Sequence, residues 1–162
     1  MEESKKIILV SNDGVKKEIS KKAAQKSLLI KNAIEDYQDN EEVPLTNVKG
    51  QILDKVIEYL NHYENEEPKQ IKEPLEGEFK DCVDEWDCKF IDIELDLIFE
   101  IILAANYMNI ESLLKLGCAR VAAHCSGKKT EELRKMFNIE NDFTPDELKE
   151  IEEESKYCNE EL

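Results

Sequence analysis

The sequence predicts an α+β fold in which a small three-stranded sheet supports several helices, with a helical extension at the C-terminal end. Strand-like segments occur at 5–11, 15–19 and 43–48. The first two are joined by Asn12-Asp13-Gly14, and Asp-Gly between two such segments is typical of a β-hairpin turn. The remaining apolar segments have the spacing of α-helices, which separates the predicted strands from a larger helical part.

The first helices are predicted from apolar residues that recur every three or four positions. Ser20 is expected to cap a short helix, and a second helix is expected over residues 28–37. An amphipathic helix is predicted over 50–63, with its apolar face packed inward. Residues 94–108 are apolar nearly all round, so this helix is predicted to be central and buried.

Three more helices are predicted towards the C-terminal end. One covers residues 110–125 and ends at Ser126-Gly127, and the next is capped by Thr130 and reaches Phe137. The last begins at Thr144-Pro145-Asp146-Glu147. This segment offers an N-cap, a proline at the first helical position and a glutamate three residues after the cap, which together form a capping box.

These elements predict a core domain over residues 1–127 and a smaller helical extension over 128–162. Within the core domain, residues 64–85 lose apolar periodicity, contain two prolines and are rich in acidic side chains. We expect an exposed, partly disordered loop there, with order resuming near Trp86.

The charge distribution limits the function classes. The chain has 162 residues and a formal net charge of -16, of which residues 64–87 contribute -7 and residues 140–162 contribute -8. Nucleic-acid binding and attraction to anionic lipids both need basic surfaces, so neither is predicted. No apolar stretch approaches the roughly 18 residues of a membrane span, and no signal peptide is recognised, so a soluble intracellular protein is expected.

No catalytic residue and no cofactor is predicted. The five glycines are isolated, unlike those of a phosphate-binding loop, and neither His62 nor His124 lies in a nucleophile motif. A metal site built from Cys118, His124 and Cys125 is an alternative, but these cysteines fit more simply on the apolar face of a helix with Val121 and Ala122. The five cysteines lack disulfide spacing and are expected to be reduced thiols.

Residues 97–110, Leu-Ile-Phe-Glu-Ile-Ile-Leu-Ala-Ala-Asn-Tyr-Met-Asn-Ile, resemble the signature of the Skp family and its BTB/POZ relatives. Residues 43–48, the acidic loop, Trp86-Asp87 and residues 127–144 follow the family's order, so the resemblance covers essentially the whole chain. Elongin C shares the BTB-like core but lacks the two C-terminal helices. Residues 128–162 therefore favour the Skp family.

The resemblance implies a BTB/POZ-like, cullin-binding core and a C-terminal extension that binds F-box proteins. It implies a non-enzymatic adaptor of an SCF-type cullin-RING ubiquitin ligase, connected indirectly to a RING protein and a ubiquitin-conjugating enzyme, in the cytoplasm and nucleus. The alternative is a BTB-like structural subunit of another assembly, such as a kinetochore or a proton-pump regulator. The resemblance leaves open whether the protein forms a homodimer when no F-box protein is bound.

Matching positions imply two sets of partner-binding residues, and internal packing is the alternative for each. The cullin-binding set is Asn47, Val48, Asn106 and Tyr107. The F-box-binding set is Leu97, Ile101, Phe137, Ile139, Asn141, Phe143 and Tyr157. Pro145 resembles a proline that some protist members hydroxylate and then glycosylate, although helix initiation is its favoured role.

Two positions depart from the family pattern. Tyr157 stands where the family usually has tryptophan, and Met136 stands where it usually has threonine. Both changes touch the implied F-box surface, so they bear on affinity or on the choice of F-box protein and less on the scaffold role.

Overall fold

The computed structural model describes residues 6–36 and 42–159, with side chains over 6–35 and 42–156. The chain divides into two compact units, one ending at His124 and one beginning at Cys125. The described elements are β1 (Lys6–Ser11), β2 (Lys16–Ser20), α1 (Lys21–Ala24), α2 (Leu28–Asp36), β3 (Glu42–Leu45), α3 (Gly50–His62), α4 (Phe79–Cys82), α5 (Glu85–Phe90), α6 (Leu95–Met108), α7 (Glu111–Cys125), α8 (Thr130–Met136) and α9 (Pro145–Asn159). This arrangement confirms the α+β class.

The described strands form one three-stranded sheet in the order β2-β1-β3. The β1–β2 pair is the predicted antiparallel hairpin, and Gly14 in its turn adopts φ 78°, which a glycine reaches without steric cost. Strand β3 runs parallel to β1, with Val43 opposite Leu9, and both side chains are buried. Pro44 is tolerated because β3 lies at the edge of the sheet.

The hairpin turn also caps helix α3. The Gly50 amide donates to Asp13, at 3.1 Å to Oδ1 and 3.2 Å to Oδ2, whereas the Lys49 side chain at the N-cap makes no capping bond. A Cβ at position 50 would lie 2.8 Å from Val15 Cγ2, so glycine permits this close approach. The hydrogen bond from the Ser11 hydroxyl is the main reason why the pKa of Asp13 lies below its usual range. Partial desolvation of the carboxylate raises this pKa, and the weaker effect of the Gly50 amide lowers it.

We expect Asp13→Ala to lower the midpoint of thermal unfolding, because the first turn of α3 loses its charged acceptor. Since the pKa of Asp13 is lowered by folding, this stabilisation is present above the pKa of an unfolded aspartate and is lost as pH falls through the folded value. The difference from wild type should therefore shrink between neutral and strongly acidic pH, as measured by circular dichroism. Asn12→Ala, an exposed neighbour in the same turn, is the control, and an equal loss in both variants would contradict the capping role.

Helices α3 and α6 pack against each other at the centre of the core. The apolar residues of α3 that are buried are Ile52, Leu53, Val56, Ile57, Tyr59 and Leu60, as the amphipathic pattern predicted. Helix α6 buries Ile98, Ile101, Ala104, Ala105 and Met108. The prediction that α6 is buried all round is corrected by Leu103, which is 68% exposed. At about 100° per residue, Leu103 lies nearly opposite both Ile101 and Ala105, so burying those residues turns it outward.

Helix α7 approaches α6 closely at Gly117, where a Cβ would lie 2.5 Å from Ile102 Cγ1. The buried residues of α7 are Leu113, Leu116, Gly117 and Ala119. The predicted apolar face through the cysteines was wrong, because Cys118 and Ala122 are exposed. The larger leucines and the glycine contact determine which face turns inward.

We expect Gly117→Ala to lower the free energy of unfolding by about 1 kcal/mol. Overpacking against Ile102 destabilises the fold by about 1–3 kcal/mol. The better helix propensity of alanine offsets about 1 kcal/mol of this loss. In an Ile102→Ala background the same change should become stabilising. Urea unfolding of the four proteins measures both effects, and a loss that persists in the Ile102→Ala background would contradict the proposed contact.

The acidic segment regains regular structure at Phe79, earlier than the predicted position near Trp86. Phe79 in α4 and Val83 after it are both buried in the core. The Arg120 guanidinium lies 5.2 Å from the Phe79 ring centroid and also bonds Asp92 at 2.7 Å. Two isolated apolar residues in an acidic sequence have no periodicity, so sequence analysis missed this anchor. Disorder in the remainder of the segment stays a prediction.

Helix α5 packs on α3 through the Trp86-Asp87 pair. The Trp86 ring stacks on His62, with centroids 3.7 Å apart, and on Phe90, with centroids 5.0 Å apart. Asp87 is buried, and this burial raises its pKa although the neighbouring Tyr63 hydroxyl acts in the opposite direction. The structure thus gives this pair a role in packing.

Candidate partner-binding surfaces

The last turn of α6 brings together three of the four residues predicted to bind a cullin. Asn106 is exposed and Tyr107 is half-buried. The Tyr107 hydroxyl lies 3.4 Å from the Thr46 hydroxyl in the loop between β3 and α3, and either group can donate. Asn47 follows in that loop and is exposed. These side chains therefore occupy one region of the first unit.

Val48 is a core residue, and its contact with a cullin stays a prediction. Its side chain is 1% exposed. Its amide donates to the Leu45 carbonyl at 3.3 Å, and its carbonyl accepts from the Asn12 amide at 2.9 Å. Val48 therefore fixes the loop that presents Asn47.

The end of α6 is held by a left-handed residue and by the start of α2. Asn109 adopts φ 53°, which lets the Ile110 amide donate back to the Ala105 carbonyl at 2.8 Å, as in a Schellman motif. The Met108 carbonyl accepts a 2.6 Å hydrogen bond from the buried Ser27 hydroxyl. These bonds satisfy carbonyl groups that a helix end otherwise leaves unpaired. They also fix the turn that carries the candidate residues.

We expect Asn109→Ala to lower the free energy of unfolding by about 1–2 kcal/mol, because a Cβ without a local hydrogen-bonding group disfavours the left-handed conformation. Asn109→Gly should remain close to wild type, since glycine adopts this conformation freely. Urea unfolding measures both variants. Equal stability of the alanine and glycine variants would show that the left-handed residue is not what holds the helix end.

Leu103 belongs to the same region, although the sequence analysis did not assign it. It lies three residues after Glu100 and four before Tyr107, so the three residues share one face of α6. The Lys49 Nζ pairs with Glu100 Oε1 at 2.6 Å, and Thr46 contacts Tyr107, so one loop contacts α6 on both sides of Leu103. Its position opposite Ile101 was a sequence signal that could have identified it. We call Asn47, Leu103, Asn106 and Tyr107 the α6 surface.

Apolar side chains of the second unit are exposed where F-box binding was predicted. Phe137 is 37% exposed, Ile139 58% and Phe143 44%. Asn141 lies between them in the sequence and is also exposed. We call these four residues the C-terminal surface. The side chain of Tyr157 lies outside the described residues.

The C-terminal surface is shaped by the end of α8. Asn138 adopts φ 53°, its amide donates to the Lys135 carbonyl at 3.3 Å, and the Ile139 amide donates to the Arg134 carbonyl at 2.8 Å. This is a second Schellman motif, again built on an Asn-Ile pair. The Arg134 guanidinium lies 5.7 Å from the Phe143 ring centroid, within the range of a cation–π contact.

The predicted capping box at the start of α9 is confirmed. The Thr144 amide donates to Glu147 Oε2 at 2.8 Å, and the Glu147 amide donates to Thr144 Oγ1 at 3.4 Å. The hydrogen bonds from the Thr144 amide and hydroxyl lower the pKa of Glu147. Pro145 is the first residue of α9, as expected for helix initiation, and its modification stays a prediction. Helix α8 instead starts one residue earlier than predicted, with Lys129 and not Thr130 at its N-cap.

Leu97 and Ile101, the other two residues predicted for F-box binding, lie in the first unit. Leu97 is half-buried and lines a shallow groove of about 220 Å³ with Ile52 and Ile93. Ile101 also lines this groove and is 0% exposed, so it packs in the core on the α3-facing side of α6. Its contact with an F-box protein stays a prediction.

The described residues contain no group of three or more His, Cys, Asp or Glu side chains that could hold a metal ion. The alternative site from Cys118, His124 and Cys125 is therefore not assembled in the described part of the chain. None of the helices seen over the described ranges has the length and apolar character needed to cross a bilayer.

Comparisons with known proteins identify the family. The model of the "Skp1 family, tetramerisation domain" matches residues 5–65, and that of the "Skp1 family, dimerisation domain" matches residues 111–158. The S-phase kinase-associated protein 1 homolog of Tetrahymena thermophila is 47% identical over 159 residues, which cover 97% of this chain and 96% of the relative. This chain belongs to the Skp1 family.

Fungal Skp1 family members extend the comparison. Proteins named E3 ubiquitin ligase complex SCF subunit sconC are 44% identical over 157 residues in Arthroderma benhamiae and 42% identical over 161 residues in Aspergillus terreus. The first match covers 96% of both chains, and the second covers 99% of this chain and all of the relative. Membership confirms the BTB/POZ-like assignment of the core. Helix α6 falls between the two matched family domains but inside these nearly full-length alignments.

Proposed function

We propose that this chain is the non-enzymatic adaptor of an SCF-type ubiquitin ligase, bridging the N-terminal region of a cullin to F-box proteins. The observation that carries the proposal is the presence of exposed partner-type side chains in both units, on a chain of the Skp1 family. Its relatives named SCF subunit support the same assembly. A RING protein and a ubiquitin-conjugating enzyme then act through the cullin, in the cytoplasm and nucleus.

The α6 surface binds the cullin. Leu103 supplies an apolar side chain that is already largely exposed, so contact with a partner gains burial without unfolding the core. Tyr107 combines an apolar ring with a hydroxyl held near Thr46, a type of residue enriched at binding hot spots. Contacts from the 46–49 loop hold this turn of α6 before binding, which reduces the entropy lost on association.

The C-terminal surface binds the F-box. Phe137, Ile139 and Phe143 expose apolar area beside short helices, which suits an incoming amphipathic helix that buries them. Tyr157 is a further F-box-binding residue by family resemblance, and so is Leu97. The same exposed area supports a homodimer of the free protein, which F-box binding would displace.

The alternative, a structural subunit of another assembly, predicts one fixed partner set without a cullin. The names of the fungal relatives, which describe subunits of an E3 ubiquitin ligase complex, favour the ligase instead. Affinity purification distinguishes the two, since an adaptor recovers a cullin together with several F-box proteins.

We expect Leu103→Ala and the double variant Asn106→Ala/Tyr107→Ala each to weaken binding of a purified cullin N-terminal domain by about 30-fold, the loss of about 2 kcal/mol typical of a hot spot. F-box binding should be unchanged. Leu28→Ala is the matched control, because Leu28 is also an exposed leucine in the first unit, at 47%. Calorimetry measures the affinities, and an equal effect of Leu28→Ala would contradict a specific α6 surface.

We expect the reciprocal result for Phe137→Ala/Phe143→Ala. Loss of two aromatic anchors should weaken binding of an F-box domain by at least about 30-fold and leave cullin affinity within about twofold of wild type. Ultracentrifugation and circular dichroism establish that the variant remains folded. If the variant keeps full F-box affinity, the proposed C-terminal surface is wrong.

A further inference from the structure

The acidic segment after α3 forms hydrogen bonds and an ion pair with lysines in and near α1. The Lys22 Nζ donates to Asn65 Oδ1 at 2.5 Å, and the Lys26 Nζ donates to the Glu66 carbonyl at 3.2 Å. Lys26 also forms an ion pair with the Glu67 carboxylate. Three consecutive residues, 65–67, are thus held by two lysines that lie 40 to 43 positions away in the sequence.

Only the C-terminal part of this segment is held by apolar packing. None of the described residues 64–70 is buried, whereas Ile71 and Leu75 pack against the core. The Glu67 side chain is 85% exposed, and exposed ion pairs of this kind contribute little to stability and weaken as salt rises. The lysine contacts are therefore a weak attachment that changes in charge or salt can release.

The segment borders a cavity of about 750 Å³ in the first unit. Residues 67–71 form one wall of this cavity. The other walls include Lys26, Tyr59, Tyr63 and Ser112. The volume lies within the range of small-molecule and peptide side-chain sites, and the tyrosine rings supply apolar area. Movement of the segment would change access to this space.

We propose that residues 64–71 are a strap across this cavity, latched to the α1 region by Lys22 and Lys26. Removing or screening the two lysine charges releases residues 65–67, while the Ser20–Glu64 hydrogen bond and the packing of Ile71 against the core hold the two ends of the strap. The cavity is already partly open to solvent, and release of the strap widens it without unfolding the unit. This device is independent of the proposed adaptor function, because neither the α6 surface nor the C-terminal surface includes these residues.

Amide hydrogen exchange tests the latch. In Lys22→Gln/Lys26→Gln, peptides covering 64–71 should exchange about threefold to tenfold faster than in wild type, as expected for losing two or three exposed charge contacts. Lys22→Arg/Lys26→Arg keeps the charge and should exchange like wild type. Lys31→Gln, which neutralises an exposed lysine on α2, should have no effect on these peptides.

Salt provides a second test of the latch. Raising NaCl to about 1 M, where the Debye length is about 3 Å, should speed exchange at 64–71 in wild type and add little in the double glutamine variant. Wild-type exchange rates in the double glutamine variant would overturn the proposal. So would an equal acceleration in Lys31→Gln.

Thiol labelling tests whether the strap controls the cavity. Ser112→Cys places a thiol on the cavity wall, and peptide mapping separates it from the native cysteines. Its labelling rate should rise at least about threefold when the lysine-to-glutamine changes are added. Faster strap exchange without faster labelling of position 112 would show that the segment does not cover the cavity, which would overturn the proposal.

Discussion

Helix α6 must bury one side against α3 and keep the other side in solvent, and the rest of the structure depends on this division. Ile98, Ile101 and Met108 are fully buried, whereas Leu103 is 68% exposed on the same helix. A helix with a conventional polar outer face would satisfy the core equally well. The exposed leucine is available for the proposed contact with a cullin.

The orientation of α6 is set by elements that are distant in sequence. The Asp13 carboxylate caps α3, α3 packs against α6, and the Ser27 hydroxyl together with Asn109 fixes the end of α6. Each link satisfies backbone groups that a helix end would otherwise leave unpaired. The residues that complete these helix ends therefore also fix the position of the α6 surface.

The second unit has well-defined helix ends but leaves apolar side chains exposed. Helices α8 and α9 have well-defined ends, provided by Asn138 and by the Thr144–Glu147 capping box, but Phe137 and Phe143 remain exposed. Local hydrogen bonds thus specify the helices, while much of the apolar area is left for another chain. This combination suits an extension whose packing is completed by a partner.

Local patterns in the sequence predicted the elements, and long-range contacts explain what they missed. The Asp-Gly turn, the amphipathic α3 and the capping box of α9 depend on neighbouring residues and were predicted correctly. The cap of α3 by Asp13 spans 37 positions, and the anchor at Phe79 is an isolated apolar residue, so neither has a periodic signal. Val48 and Ile101 were assigned to partners by family position, and their burial became evident only from the packing.

In the proposed adaptor, the α6 surface and the C-terminal surface bind their partners at the same time. Native mass spectrometry of the purified chain mixed with a cullin N-terminal domain and an F-box domain tests this simultaneous binding. Our account predicts a 1:1:1 complex, because the two partners contact separate residues. Binary complexes that exchange one partner for the other, with no ternary species at saturating concentrations, would contradict it.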